Sequence, residues 1–176
     1  MHLTLLEILW NHRWEFDKNP EAFFEAIFTL VDNDVDFELS VAGEKFKRYP
    51  EIFSQVEAKL GNRLKHFGFA DSKEAYINLL QSNDVVVSTA DHEFFGVSMI
   101  EATHAGCLPV VPRRLSYPEI FSEYENSVFY DDDKELQSLL TDLSCQLDVI
   151  RRPENRIDLG KYSWSQRAKD FDQKFA

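Results

Sequence analysis

The chain has 176 residues, 44% hydrophobic and 14% aromatic, which is one domain's worth of core and excludes a disordered or disulfide-stapled chain. Its net charge of −12 excludes a general nucleic-acid-binding surface, because such surfaces gain affinity by neutralising phosphates with Lys and Arg. No stretch approaches the ~18 consecutive apolar residues of a membrane span. Met1 to Trp10 lacks the basic start and small-residue cleavage site of a signal peptide, so the expected home is the cytoplasm, with no membrane partner.

Apolar, β-branched runs alternate with helical patterns from end to end, the signature of βαβ units and a parallel sheet covered on both faces. A first strand is expected from Leu3 to Trp10, followed by a polar loop that carries Arg13 and Lys18. Taken alone, these two cations read as solvated. Pro20 stands at the first position of a helix that includes Phe23, Phe24, Ile27 and Leu30. Phe37 to Ala42 reads as the second strand, and Pro50 opens a second helix through Leu60, where Gly61 supplies the stop. The third strand, Leu64 to Phe67, leads into Gly68, Phe69, Ala70 and Asp71, and Ser72 caps a helix from Lys73 to Leu80. His66 is expected to pack near that strand's end.

Val85 to Ser88 is the fourth strand, and its loop runs from Thr89 to Gly96. Gly96 opens a helix whose inward stripe reads as Val97, Ile100 and His104, with Glu101 on or beside it. His104 is thus expected in the core. Leu108 to Val111 and Ser127 to Tyr130 complete six strands, and a helix follows from Asp133 to Leu143. The acidic runs at 32–34 and 131–133 read as capping or solvated turns rather than metal sites. Cys107 and Cys145 fit no metal or redox spacing and are expected to be packing residues. With no linker or repeat, residues 1–176 are read as one α/β, Rossmann-like, three-layer domain.

Parallel sheets of this kind bind ligands in the crevice outside the carboxyl ends of their strands. The loops after strands one, three and four therefore matter most. Backbone N–H groups of Phe95, Gly96, Val97 and Ser98 would face that crevice from a helix N-terminus, whose dipole favours an anion. Arg13 and Lys18 on the neighbouring loop could add two charges, which together describes a pyrophosphate site. It is neither a P-loop nor a Gly-x-Gly-x-x-Gly fingerprint, which disfavours an NTPase or a dinucleotide dehydrogenase. Carboxylates only accept hydrogen bonds, so Glu93 and Glu101 on either side of a phosphate cradle suit a ligand with hydroxyls at both ends. A nucleotide sugar has that shape. Glu101 would take the ribose hydroxyls and Glu93 those of the donor sugar, while Arg13 and Lys18 stabilise the departing diphosphate; no metal is required. By residue type and spacing alone, the two glutamates could equally be a surface acid and a helix salt-bridge partner.

The segment Glu93 to Ala102, followed by Gly106-Cys107-Leu108-Pro109-Val110-Val111, resembles the Glu-x7-Glu element of retaining GT-B glycosyltransferases of family four. Arg13 and Lys18 match that family's Arg-x4-Lys pair, and Phe67-Gly68 its aromatic-Gly turn. Tyr162-Ser163-Trp164 resembles its closing segment before a last helix. A narrower resemblance is to the tRNA-queuosine α-mannosyltransferases, carried by His12 to Glu15, Ser88 to Ala90, His92 to Val97, Gly106-Cys107 with Pro109, and Tyr117 to Phe121.

These resemblances imply the C-terminal, donor-binding half of a GT-B fold. The acceptor domain would lie N-terminal to these 176 residues, which alone would be inactive. Arg13, Lys18 and Glu93 would then serve catalysis. Glu101, Phe94, Phe95, Gly96, Val97, Ser98, Gly68, Asp71 and Lys73 would bind substrate, Asp71 and Lys73 where guanine is read. The donor would be GDP-mannose and the acceptor queuosine in tRNA, held mainly by the other domain. His12 and Asn19 stand where the family usually has Gly before the Arg and after the Lys. A glycan or lipid acceptor with a UDP- or GDP-sugar donor, or a non-catalytic nucleotide- or protein-binding module, would use the same fold.

Overall fold

The computed structural model describes residues 5–125 and 127–162, so Leu3, Thr4 and the segment from Ser163 onward lie outside the described residues. Six strands, β1 (Leu6–Trp10), β2 (Phe37–Ala42), β3 (Leu64–Gly68), β4 (Val85–Val87), β5 (Leu108–Pro112) and β6 (Val128–Tyr130), form one sheet. Every pairing is parallel, in the order β3-β2-β1-β4-β5-β6. This is the doubly wound arrangement. Its strand order reverses between β1 and β4, which opens a crevice at their carboxyl ends.

The side-chain alternation of β1 divides the core. Leu6, Ile8 and Trp10 face one layer, built with α1 (Pro20–Asp32), α2 (Phe53–Leu60) and α6 (Asp133–Ser144). Leu9 faces the other, where Leu80 of α3 (Lys73–Gln81), Met99 and Ala102 of α4 (Val97–Ala105) and Phe121 of α5 (Tyr117–Phe121) pack. A short α7 (Leu147–Ile150) follows α6. Trp10, Trp14, Phe24 and Phe53 meet in an aromatic cluster under the first loop, with Trp14 stacked on Phe53 at a centroid distance of 4.2 Å. That cluster makes the base of the loop rigid.

The helix starts follow from local chemistry. Asn19 caps α1 by accepting from Ala22 N–H at 3.2 Å, Ser72 caps α3 by accepting from Ala75 N–H at 3.0 Å, and Asp132 caps α6 by accepting from Glu135 N–H at 2.9 Å. Asn19 sits at φ 46°, a left-handed conformation that Asn tolerates better than most residues, so it replaces Gly after Lys18 without breaking the turn.

Several expectations are corrected. Pro50 begins a turn rather than α2, which starts three residues later at Phe53, whose N–H reaches back to Pro50 O. The buried positions of α4 are Met99, Ala102 and Thr103; Val97 and His104 are exposed and Ile100 half-buried. Val97-Ser98-Met99-Ile100 is apolar on more than one side, so spacing alone could not choose the inward face. Cys107 packs in the core, where burial pushes its thiol up to about 12, but Cys145 is exposed at the end of α6.

Candidate active site

The carboxyl ends of β1 and β4 are stitched to each other before any side chain reaches the crevice. Thr89 Oγ1 donates to the carbonyls of Lys18 at 3.0 Å and Asn19 at 2.9 Å, and the N–H groups of Asp91 and His92 both donate to Asp17 O. The first loop is fixed on its other side by Trp14 N–H, which donates to Glu44 O. Two loops that sequence separates by some seventy residues therefore form one rigid rim.

Lys18 lies within that rim rather than in solvent. Only 7% of it is exposed, and its ammonium donates to His92 O at 2.7 Å and meets Glu93 Oε2 and Asp17 Oδ2 at 3.3 Å each. Burying a charge is tolerable only with such partners. Arg13 is the solvated member of the pair, more than half exposed and matched to Glu15 at 3.1 Å.

Glu93 is half-buried and folds back on its own chain. Its Oε1 accepts from Gly96 N–H at 2.9 Å and Phe95 N–H at 3.3 Å. Burial works to raise its carboxyl, but the Gly96 N–H, the Lys18 charge and the Phe95 N–H outweigh it and hold the group below the ordinary carboxylate range. Two of the four N–H groups expected to face an anion are thus occupied. Val97 and Ser98, in the first turn of α4, keep N–H groups without an intrahelical acceptor. Gly96 caps that helix at φ 79°, and a Cβ there would stand 3.1 Å from Tyr117 Cε1.

Glu101 is exposed, and its partner is Tyr76 of α3, whose hydroxyl donates to Oε2 at 3.2 Å. Asn11, at the end of β1, in turn donates through Nδ2 to Tyr76 OH at 3.1 Å and to Ser98 O at 2.9 Å. Burial, reinforced by the Glu101 charge, pushes the Tyr76 phenol up to about 12, so it remains a donor at neutral pH. This chain of contacts ties α4, through Glu101 and Ser98, to α3 and to the end of β1. Asn11 and Tyr76 carry no motif, but Asn11 ends an apolar strand and Tyr76 stands one turn after a capping Ser72, which are the two signals that could have found them.

His12 is buried at 3% exposure, with Nδ1 3.4 Å from Ser98 Oγ and Nε2 unpartnered. Burial and the nearby Lys18 charge lower it to about 4, so it is neutral. His66 is partly buried, with Nε2 3.0 Å from Gly68 O, and His92 is exposed.

Asn11, His12, Arg13, Phe69, Asp71, Lys73 and Tyr76 line a cleft of about 500 Å³. Gly68, at φ 127°, turns β3 into it. Phe94, at 98% exposure, and Phe95 stand out from the rim, Phe95 edge-on to Tyr162 at 5.8 Å. Among the described residues, no group of three His, Cys, Asp or Glu is placed to hold a metal ion, and no helix is long and apolar enough to cross a membrane.

A doubly wound parallel sheet with a crevice at its β1/β4 switch point defines the Rossmann-like α/β class of domain. Within that class, residues 5–151 match the family model for glycosyl transferases group 1, and the chain belongs to that family. It is 44% identical over 116 residues to tRNA-queuosine alpha-mannosyltransferase of Drosophila melanogaster, covering 66% of this chain and 30% of that protein. It is 31% identical over 122 residues to GDP-mannose-dependent alpha-(1-6)-phosphatidylinositol dimannoside mannosyltransferase of Mycobacterium tuberculosis, covering 68% and 31% of the two chains. The matched stretch thus spans about a third of these curated relatives. Two solved structures share the fold: sucrose-phosphate synthase from Thermosynechococcus elongatus, at TM-score 0.79 and 17% identity, and TarM, at 0.73 and 21%. Each likeness covers 97% of this chain, and 45% and 35% of those chains respectively.

Proposed function

We propose that these residues form the donor-binding domain of a retaining glycosyltransferase that moves mannose from GDP-mannose to queuosine in tRNA, with acceptor binding and catalysis completed by a second domain. The observation that carries this reading is the meeting of Lys18, Glu93 and the N-terminus of α4 at one switch point, with Glu101 held by Tyr76, which lines the adjoining cleft. Val97 and Ser98 N–H groups and Arg13 would receive the diphosphate, with the helix dipole behind them. Charge that develops on the leaving diphosphate would meet Lys18 and Arg13, already ordered or in reach, which is where stabilisation lowers a barrier. Glu93, kept ionised by its own turn and by Lys18, would accept from donor-sugar hydroxyls, and Glu101 from the ribose. Asp71 and Lys73 line the cleft where a base would sit. The reading asks for no metal, since the cations and backbone dipoles supply the charge.

GDP-mannose as donor is supported by the mycobacterial relative, and mannosyl transfer to queuosine in tRNA by the insect one. The mycobacterial relative, named for a phosphatidylinositol dimannoside, favours a second reading with the same donor and a lipid-linked glycan acceptor. Thermal unfolding in the presence of GDP, GDP-mannose and UDP tests the donor. The guanine ligands should raise the melting temperature, UDP should do so less, and Glu101→Ala should abolish the rise. No rise at millimolar GDP-mannose would refute the reading.

A further inference from the structure

Lys45, Lys47 and Arg48 fall within four positions of the loop after β2, the densest basic run in a chain of net charge −12. All three are exposed, and among the described residues none of them forms an ion pair; Lys45 lies over the Tyr49 ring at 4.3 Å. Several other cations are matched, among them Lys18 with Glu93, Lys65 with Glu38, Arg114 with Asp91 and Arg151 with Asp84. The loop is also fixed against the site. Gly43 N–H donates to Gly68 O at 3.0 Å, and a Cβ on Gly43 would collide with the carbonyl oxygen of His12, so the two backbones touch.

Lys47 and Arg48 line, with Glu15, Phe16 and Asp17, an open depression of about 950 Å³ beside the loop that bears Arg13 and Lys18. The two acids there already face cations, Glu15 towards Arg13 at 3.1 Å and Asp17 towards Lys18 at 3.3 Å. Phe16 is 63% exposed and, among the described residues, its ring meets no other aromatic ring. A polyanion approaching this acidic molecule meets a local excess of positive charge here, beside the loop that bears Arg13 and Lys18. Unpaired bases of an RNA loop stack on such aromatic faces while Lys and Arg hold the phosphates.

We propose that this depression receives the acceptor RNA, Lys47 and Arg48 on phosphates and Phe16 on an unpaired base. The proposal rests on the tRNA reading above, but its test is separate from donor binding. The chain is titrated with an anticodon stem-loop RNA over a range of salt concentrations, and separately with GDP-mannose, as wild type, Lys47→Gln/Arg48→Gln and Phe16→Ala. The double variant should bind RNA roughly tenfold or more weakly, with a salt slope shallower by roughly 0.7 to 0.9 per cation removed. Phe16→Ala should weaken RNA binding at least about fivefold without changing the slope. GDP-mannose affinity should be the same in all three. RNA affinity and slope unchanged in the double variant, or no RNA binding by the wild type at low salt, would overturn the proposal. Failure of GDP-mannose to bind while the RNA effects hold would refute the donor reading and leave this surface standing.

Discussion

Lys18 and His12 lie side by side under the first loop, and they handle burial in opposite ways. The Lys18 ammonium is surrounded by a carbonyl and two carboxylates; His12 is held neutral first by burial and then by the nearby Lys18 charge, which together outweigh Glu93 and Asp17. The consequence for stability has a definite sign. His12 titrates near 6.5 when unfolded and near 4 when folded, so between those values the unfolded chain binds more protons and stability falls as pH falls. The full effect is about 3 kcal/mol. Urea unfolding at pH 7, 5.5 and 4.5 should therefore show the wild type losing more stability than His12→Asn across that window. Parallel pH dependence in the two proteins would show that His12 is not buried neutral. Glu93 acts lower on the scale: its folded carboxyl is depressed, so its contribution is present above the usual carboxylate range and is lost as pH falls through its own folded value.

At the scale of elements, α4 shows what spacing can and cannot reveal. Its start at Gly96 and the position of both glutamates around it were legible, because a Gly after an acidic turn marks a helix N-terminus. Which face of the helix is buried was not, because Met99 and Val97 are equally apolar and only the tertiary contacts with Leu80 and Phe121 select Met99. The same limit hid Tyr76, a residue whose role comes from the distance between α3 and α4. Gly96→Ala should cost about 1–2 kcal/mol in denaturant unfolding, since φ is 79° and the added carbon meets the Tyr117 ring at 3.1 Å. A neutral result would mean that this helix start can shift. At the opposite, amino edge, Asp84 accepts from Arg151 twice at 2.8 Å and from Glu7 N–H at 2.9 Å, joining α7 to β1 and β4. Asp84→Ala leaves that partly buried N–H and the guanidinium without their acceptor and should cost about 2 kcal/mol, with nucleotide affinity unchanged. A lost affinity instead would mean that the two edges are coupled.

For the whole molecule, alternation of apolar strands and capped helices was enough to predict a parallel sheet of about six strands in a three-layer α/β fold, because each βαβ unit must cross over the sheet in the same hand. The strand order was not written in any one segment. It determines that β1 and β4 are neighbours, and so that Lys18 meets Glu93 across more than seventy residues of chain. The acidic net charge was likewise legible, while the exception to it, the basic loop beside Phe16, gained meaning only when the fold placed it against the first loop. On the proposed function, the carboxyl edge at this switch point holds the nucleotide sugar. Backbone amide chemical shifts recorded during titration with GDP-mannose would locate the ligand on the sheet. Perturbations are expected at residues 11–18, 68–76 and 93–101, with Glu7, Asp84 and Arg151 unmoved. Shifts centred on the amino edge, or none at millimolar ligand, would rule that site out.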